Sequence, residues 1–474
     1  MKKSSGYSEF VIYTAISIIS AIISFITMVV LTRLSSEAFF GRINKYITAS
    51  NVVMSFICLG LDTAYIRFYY EPPNKLNSRQ LAWICFFPAI ILLVVISFIL
   101  LLLRNNDSLV FLLGSKGNFF VFAFIITVLS QLLYRFMTIF FRMSSKVLKF
   151  SIVSIGFVIL TKTVFIPLFI FITKYDINVI VASILLTVFM VIFFVINMKS
   201  MMQITFLSLD KYNNIFRFAI LSSPIFVITY LNSYFPQIII SKNLGDDILG
   251  IYSAALLFGS AIQVLSTGFT TFWSPYMYKN YKQKNDVIRN IHDVVLFGSV
   301  FALSFVLIFS DFIYLFIGKA FRQNQNILGM LLIYPIILII VETTSYGINI
   351  EKKNEISLII YIISTIINVL LCFLLIARFG LDGVAVASMI SAVVHLILMS
   401  YFGQKYYKSI NCINRTIIHV VILILSALLF YMMYDIKIYY IVIQTIILLC
   451  LMIYDRKIVK WALNILYKRK EEQC

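Results

Sequence analysis

Four ionisable side chains stand where the flanking sequence is apolar enough to lie inside a bilayer: Lys162, Asp62, Arg67 and Glu342. Each costs about 2.5–3.5 kcal/mol at the centre of a membrane helix on insertion scales, so each needs a partner or a task. Lys162 lies in the middle of an apolar run, too deep to snorkel easily, with Pro167 a turn and a half further on. A cation there either holds an anionic ligand or makes a structural pair with an acid or with backbone carbonyls. Asp62 and Arg67 are five residues apart, about 140° around a helix, so they are not expected to pair with each other. Arg67 either serves a substrate or reaches an interface of anionic lipid. Asp62 is deeper and needs a partner from elsewhere. Glu342, two turns after Pro335, would neutralise a cation, carry a coupling proton or make a structural hydrogen bond. Arg33, at the end of the first apolar run, completes the basic set. His395 and His419 fall within apolar runs and are expected to be packing groups before proton carriers.

Other chemistry is excluded. There is no P-loop, so ATP is not hydrolysed here. Three histidines and six scattered cysteines offer no cluster at metal-ligand spacing, no metal site and no disulfide scaffold. No cofactor is expected; H+ or Na+ is the class of ion that would couple to transport. Among the tyrosines, Tyr230, Tyr234 and Tyr346 either stack on sugar rings or pack. Pro224 and Pro236 bracket Asn232 in one run, and with Pro335 they are candidate bending points or simple packing kinks.

These residues must be positioned by membrane helices. The 474 residues are 61% hydrophobic and only 12% charged, with a mean hydropathy of +0.97. That leaves too little charge to clothe a soluble surface. At roughly 20 apolar residues per span, fourteen spans are predicted: 10–32, 46–68, 81–103, 119–141, 150–172, 177–197, 216–240, 248–272, 294–317, 327–350, 356–377, 382–404, 416–434 and 438–454. The runs are continuous rather than alternating, so the fold class is all-α and not a strand barrel. The first run is too long for a cleaved signal core and reads as a retained span. The longest loop is expected at Trp273–Asp293, which leaves no room for an extramembrane catalytic domain. Of 39 Lys and Arg, 27 flank one side, 11 the other, and Lys162 is the remainder. By the positive-inside rule both termini are cytoplasmic. The net charge of +19 is then loop charge facing an anionic leaflet, with no nucleic-acid motif interleaved.

An internal repeat organises the spans. Arg33, Glu37 and Gly41 follow span one; Lys242, Asp246 and Gly250 follow span seven with the same spacing, 209 residues on. Lys174-Tyr175-Asp176 leading to Ala182-Ser183 is echoed by Arg378-Phe379-Gly380 leading to Ala387-Ser388. The expected organisation is an N-terminal six-helix lobe over 1–200 and a C-terminal six-helix lobe over 201–410. Residues 411–474 would add two further helices and a basic cytoplasmic tail. Two parallel six-helix repeats with a cleft between them suit rocking, alternating-access transport.

Three stretches then carry a family resemblance: Leu31-Thr-Arg33-Leu-Ser-Ser-Glu-Ala-Phe-Phe-Gly41, Gly60-Leu-Asp62-Thr-Ala-Tyr-Ile-Arg67, and Ala377-Arg-Phe-Gly-Leu-Asp-Gly383-Val-Ala-Val-Ala-Ser388. In order and spacing they resemble the polysaccharide-transporter branch of the multidrug/oligosaccharidyl-lipid/polysaccharide exporter (MOP) superfamily, which has a MATE-like fold. The resemblance implies a Wzx-type flippase in a bacterial cytoplasmic membrane. Such a protein moves undecaprenyl-diphosphate-linked oligosaccharides outward for O-antigen, capsule or related polymers. Its implied partners are that lipid-linked oligosaccharide, membrane lipids and polysaccharide polymerases, with no nucleic acid and no enzymatic activity. A multidrug extruder of the same superfamily is the alternative, and would need acids in the first lobe. A polymerase or ligase would need a large external loop, which the sequence lacks, and a non-transporting scaffold has no need of Lys162.

Overall fold

An apolar run inside a bilayer can satisfy its backbone polar groups only within itself, so it becomes helix. The computed structural model describes residues 6–69, 72–73, 76–113, 118–163, 175–205, 209–283, 285–351 and 353–461; Pro167, Lys174 and the side chain of Lys162 lie outside the described residues. Among the described residues there is no strand. The chain forms α1 (Gly6–Leu34), α2 (Glu37–Cys58), α3 (Leu61–Phe68), α4 (Ser78–Leu102), α5 (Asp107–Leu113), α6 (Asn118–Met143) and α7 (Val147–Val158). It continues with α8 (Tyr175–Met201), α9 (Leu209–Asn243), α10 (Asp246–Asn280), α11 (Asn285–Ile308), α12 (Leu328–Thr344), α13 (Asn354–Tyr406), α14 (Ile413–Met432) and α15 (Lys437–Tyr454). Each predicted span overlaps helix. Nine helices among the described residues are long and apolar enough to cross a membrane, or ten if the bent pair α2–α3 is one span. One of the nine, α13, runs through two predicted spans and turns at Gly380.

One expectation is corrected. The long loop at Trp273–Asp293 is mostly helix, because α10 continues to Asn280 and α11 begins at Asn285. Trp273 explains the extension: it is fully buried, donates from Nε1 to the Glu342 carbonyl at 3.0 Å, and packs with Met277, Ile288 and Tyr346. Tyr346 is thereby a core residue. The prolines do not break the helices that carry them: α9 runs through Pro224 and Pro236, and α12 through Pro335. A proline removes a single backbone donor, which a long packed helix tolerates. The breaks lie elsewhere. Leu59 (φ 40°) and Gly60 (φ 72°) are both left-handed, and the chain bends by 55° between α2 and α3. After α7 the helix widens into a π turn, Ile159–Thr163.

Packing divides the chain into two compact units, Met1–Ser253 and Ala254–Cys474. The first therefore reaches past residue 200 and includes α9, which packs on α2 and α3. In the second unit α14 packs on α11 and α12, so residues 411–461 are integrated with it. Its clasp is polar: Asp293 of α11 pairs with Arg415 of α14 at 2.5 Å, and His419 hydrogen-bonds Asp455, just beyond α15, at 2.7 Å. His395 packs its ring on Tyr361 and contacts Ser364 at 3.3 Å.

Within the first unit, the two copies of the repeated motif touch each other. A Cβ on Gly41 would lie 2.3 Å from the Asp246 carbonyl oxygen, and one on Gly250 would lie 2.1 Å from that of Glu37. The two contacts exchange under the 209-residue offset, so α2 and the start of α10 cross about a local two-fold axis. Small residues are what permit such close backbone approach in membrane helices. Beside the crossing, buried Lys45 donates to Ser241 Oγ at 2.7 Å and pairs with Asp246 at 3.2 Å. Replacing Gly41 or Gly250 with Val should lower the apparent melting temperature by about 5 °C or more. Gly298→Ala, where a Cβ meets nothing within 4 Å, should leave it unchanged or raise it. Thermal denaturation of the purified variants checks the contrast.

Candidate functional site

The bend at Leu59–Gly60 decides where Asp62 points. It starts α3 afresh, placing Asp62 in the first turn, where a carboxylate is favoured by the helix dipole. There Asp62 meets Arg135 of α6. The guanidinium Nη2 is 2.7 Å and Nε 2.8 Å from the same carboxylate oxygen, Oδ2. The two partners are unequally covered: the Asp62 side chain is 8% exposed and that of Arg135 40%. Asp62 thus holds the arginine from behind and leaves part of its fork open. A guanidinium so presented is suited to bidentate recognition of phosphate or carboxylate.

Arg135 opens into a cavity of about 320 Å³ within the first unit. Five segments wall it: α2, α6, the α7–π-turn segment, α8 and α9. The π turn brings Leu160 and Thr161 to the wall, a local widening often found at functional positions. A chain of hydroxyls runs along the wall. Tyr46 contacts Thr127 at 2.9 Å, and Thr127 contacts Ser183 at 2.9 Å. Asn51 and Gln131 add amides, and Tyr230 adds a phenol. Tyr134 and Phe157 stack face to face with centroids 3.9 Å apart. Arg135 is the one charged residue among the described residues of the lining, with Asp62 behind it.

A family model described as polysaccharide biosynthesis protein matches residues 8–281, a stretch that contains every wall of this cavity. The chain belongs to that family. Its fold is shared with solved MOP-superfamily transporters. A lipid II flippase MurJ in an inward closed conformation superposes with a TM-score of 0.67 at 14% identity, covering 95% of this chain and 100% of that one. An inward-facing multidrug resistance MATE transporter gives 0.58 at 17%, covering 84% and 97%, and an outward-facing one 0.54 at 15%, covering 83% and 95%. No curated protein sequence matches the chain. The all-helical, MATE-like membrane fold expected from the motifs is therefore the fold of this protein.

The structure distributes the sequence-predicted residues unevenly. Tyr230 lines the cavity, and Asp62 acts on it through Arg135. Leu160 and Thr161, the neighbours preceding Lys162, line it too, while the Lys162 side chain lies outside the described residues. Tyr234 does not line the cavity; it is buried and donates to the Leu112 carbonyl of α5 at 3.2 Å. Arg33 and Arg67 are exposed and also outside the lining. Glu342 is a half-buried residue of α12 in the second unit, with no ion pair among the described residues. Sequence reasoning missed Arg135, which falls inside span four but near its end, and so counted among the interfacial bases. The usable signal was Asp62, whose demand for a cation Arg67 could not meet.

Breaking the pair from either side should have unequal effects. Arg135→Gln leaves the more buried Asp62 unpartnered, a loss on the order of 3 kcal/mol if the carboxylate stays charged. Asp62→Asn leaves the half-open Arg135, which water can solvate, and should cost less. Denaturation of both variants should rank them in that order; equal losses would mean the pair is not asymmetrically buried.

Proposed function

We propose that this protein is a flippase carrying polyprenyl-diphosphate-linked oligosaccharides, undecaprenyl diphosphate being the expected carrier. In this reading it works outward across the bacterial cytoplasmic membrane, with both termini cytoplasmic. The observation that carries the reading is Arg135: a half-open guanidinium, anchored by Asp62, facing a cavity otherwise walled by hydroxyls, amides and aromatic rings. Such a site suits a headgroup that is anionic at one point and polar but uncharged beyond it. The chain's membership of the polysaccharide biosynthesis family and the fold it shares with a lipid II flippase support the same reading.

The diphosphate pairs with Arg135, and Lys162 on the adjoining π turn supplies a second cation. Sugars lie along the polar wall while the polyprenyl chain stays in lipid. The Gly41–Gly250 crossing with its Lys45–Asp246 pair, on the external side by the positive-inside count, closes the outer path. The two six-helix repeats rock to open it, with Pro224, Pro236 and Pro335 as yielding points. Coupling to H+ or Na+ would use Glu342. No covalent bond is made or broken. The delivered units feed a polymerase of O-antigen, capsule or a related surface polymer.

A cation extruder of the same fold would need an acid free to exchange its partner within the cavity. Asp62 is occupied by Arg135, which favours the anionic cargo. In cells, Arg135→Gln should abolish surface glycan and make lipid-linked oligosaccharide accumulate on the cytoplasmic side, with the protein still present in the membrane; Arg135→Lys should retain part of the export. Unaltered glycan in Arg135→Gln, or sensitivity to cationic dyes as the sole defect, would overturn the reading.

A further inference from the structure

Gln131 stands one helical turn before Arg135 on α6, about 6 Å along the axis and on the same face. Its side-chain orientation is settled by a neighbour. The Ser50 hydroxyl spends its hydrogen on the Ile47 carbonyl at 2.8 Å, so it can only accept from Gln131, whose Nε2 lies 2.7 Å away. The amide nitrogen must therefore face Ser50. That leaves Gln131 Oε1, on a residue 8% exposed, with no hydrogen-bond partner among the described residues. Buried polar atoms are rarely left so, and an orphaned acceptor in the wall of a cavity calls for a donor that the protein does not supply.

Two further hydroxyls of the lining, Thr127 and Ser183, have the same character. Ser183 donates to the Val179 carbonyl at 2.6 Å, and Thr127 lies 2.9 Å from the Ala123 carbonyl. Their hydrogens are spent on their own helices or on each other, so lone pairs are what they offer the cavity. Gln131, Thr127 and Ser183 thus form an uncharged, accepting part of the wall, beside which Asn51 and Tyr230 can also donate. It differs in kind from the Arg135 end, one turn away.

We infer that the wall reads the sugar joined directly to the diphosphate and selects a neutral sugar rich in hydrogen-bond donors, with Gln131 as the specificity-determining residue. The inference rests on the reading of Arg135 as the diphosphate site, since that fixes which sugar reaches Gln131. Hydroxyl groups, or the N–H of an acetamido group, supply the donor that Oε1 lacks. A uronic acid would set its carboxylate against the lone pairs of Gln131 Oε1 and should gain nothing there.

The test is binding to the purified full chain in lipid nanodiscs, read by native mass spectrometry, with three water-soluble probes. These are farnesyl diphosphate, farnesyl-diphospho-N-acetylglucosamine and farnesyl-diphospho-glucuronic acid. The neutral-sugar probe should bind at least about fivefold more tightly than bare diphosphate, and the uronic probe no more tightly, the fivefold being one neutral hydrogen bond. In Gln131→Leu the advantage of the neutral sugar should fall to within twofold; Gln131→Met, closer in shape, gives the same reading if the leucine variant is not monodisperse. Arg135→Gln should weaken all three probes. If bare diphosphate binds through Arg135 but the sugar adds nothing, or its advantage survives at Gln131→Leu, or the uronic probe is preferred, this inference is overturned and the flippase reading stands. If Arg135→Gln changes no probe, both fall together.

Discussion

A guanidinium buried among membrane helices must have a carboxylate, and here everything about the first unit's cavity follows from how that carboxylate is delivered. Asp62 lies beneath Arg135 because the chain turns through two left-handed residues, Leu59 and Gly60, and restarts as α3. A straight helix would carry the carboxylate elsewhere and leave the arginine with only water and hydroxyls. Because the acid is the more buried member, the pair is stabilised from behind and reactive in front. That asymmetry is what the proposed binding role of Arg135 rests on. The buried Asp293–Arg415 and His419–Asp455 contacts of the second unit have no such open face among the lining residues of a polar cavity, and act as a clasp for α14 and α15.

Irregular helix geometry does the positioning throughout. The π turn at Ile159–Thr163 brings Leu160 and Thr161 to the cavity. The α2–α3 bend serves Asp62. Proline, the usual sign of a broken helix, marks neither place. A proline removes one donor and a long helix absorbs the loss, whereas a left-handed pair reverses the local path of the backbone.

The glycine crossing gives the internal repeat a physical meaning. Two copies of one motif, 209 residues apart, meet backbone to backbone at Gly41 and Gly250, each filling the space where the other's Cβ would be. The contact is symmetric, but Lys45 adds charge on one side only, through Ser241 and Asp246. A symmetric backbone contact therefore carries an asymmetric ion pair.

Composition and run length alone determined that this chain is helical and membrane-embedded, because hydrocarbon admits no other continuous backbone, and the spaced Arg/Lys–acid–Gly motif marked the pair of segments that meet. Asp62 was legible as a buried acid in need of a cation. Which cation answered it was not, since Arg135 is 73 residues away and is indistinguishable in sequence from a base at a helix end. The orphaned oxygen of Gln131 and the exclusion of Tyr234 from the cavity were likewise invisible. Hydrogen-bond satisfaction is a property of three-dimensional neighbours, and only the packing of α2, α6, α8 and α9 decides which polar atoms are spent on the protein and which remain for a ligand.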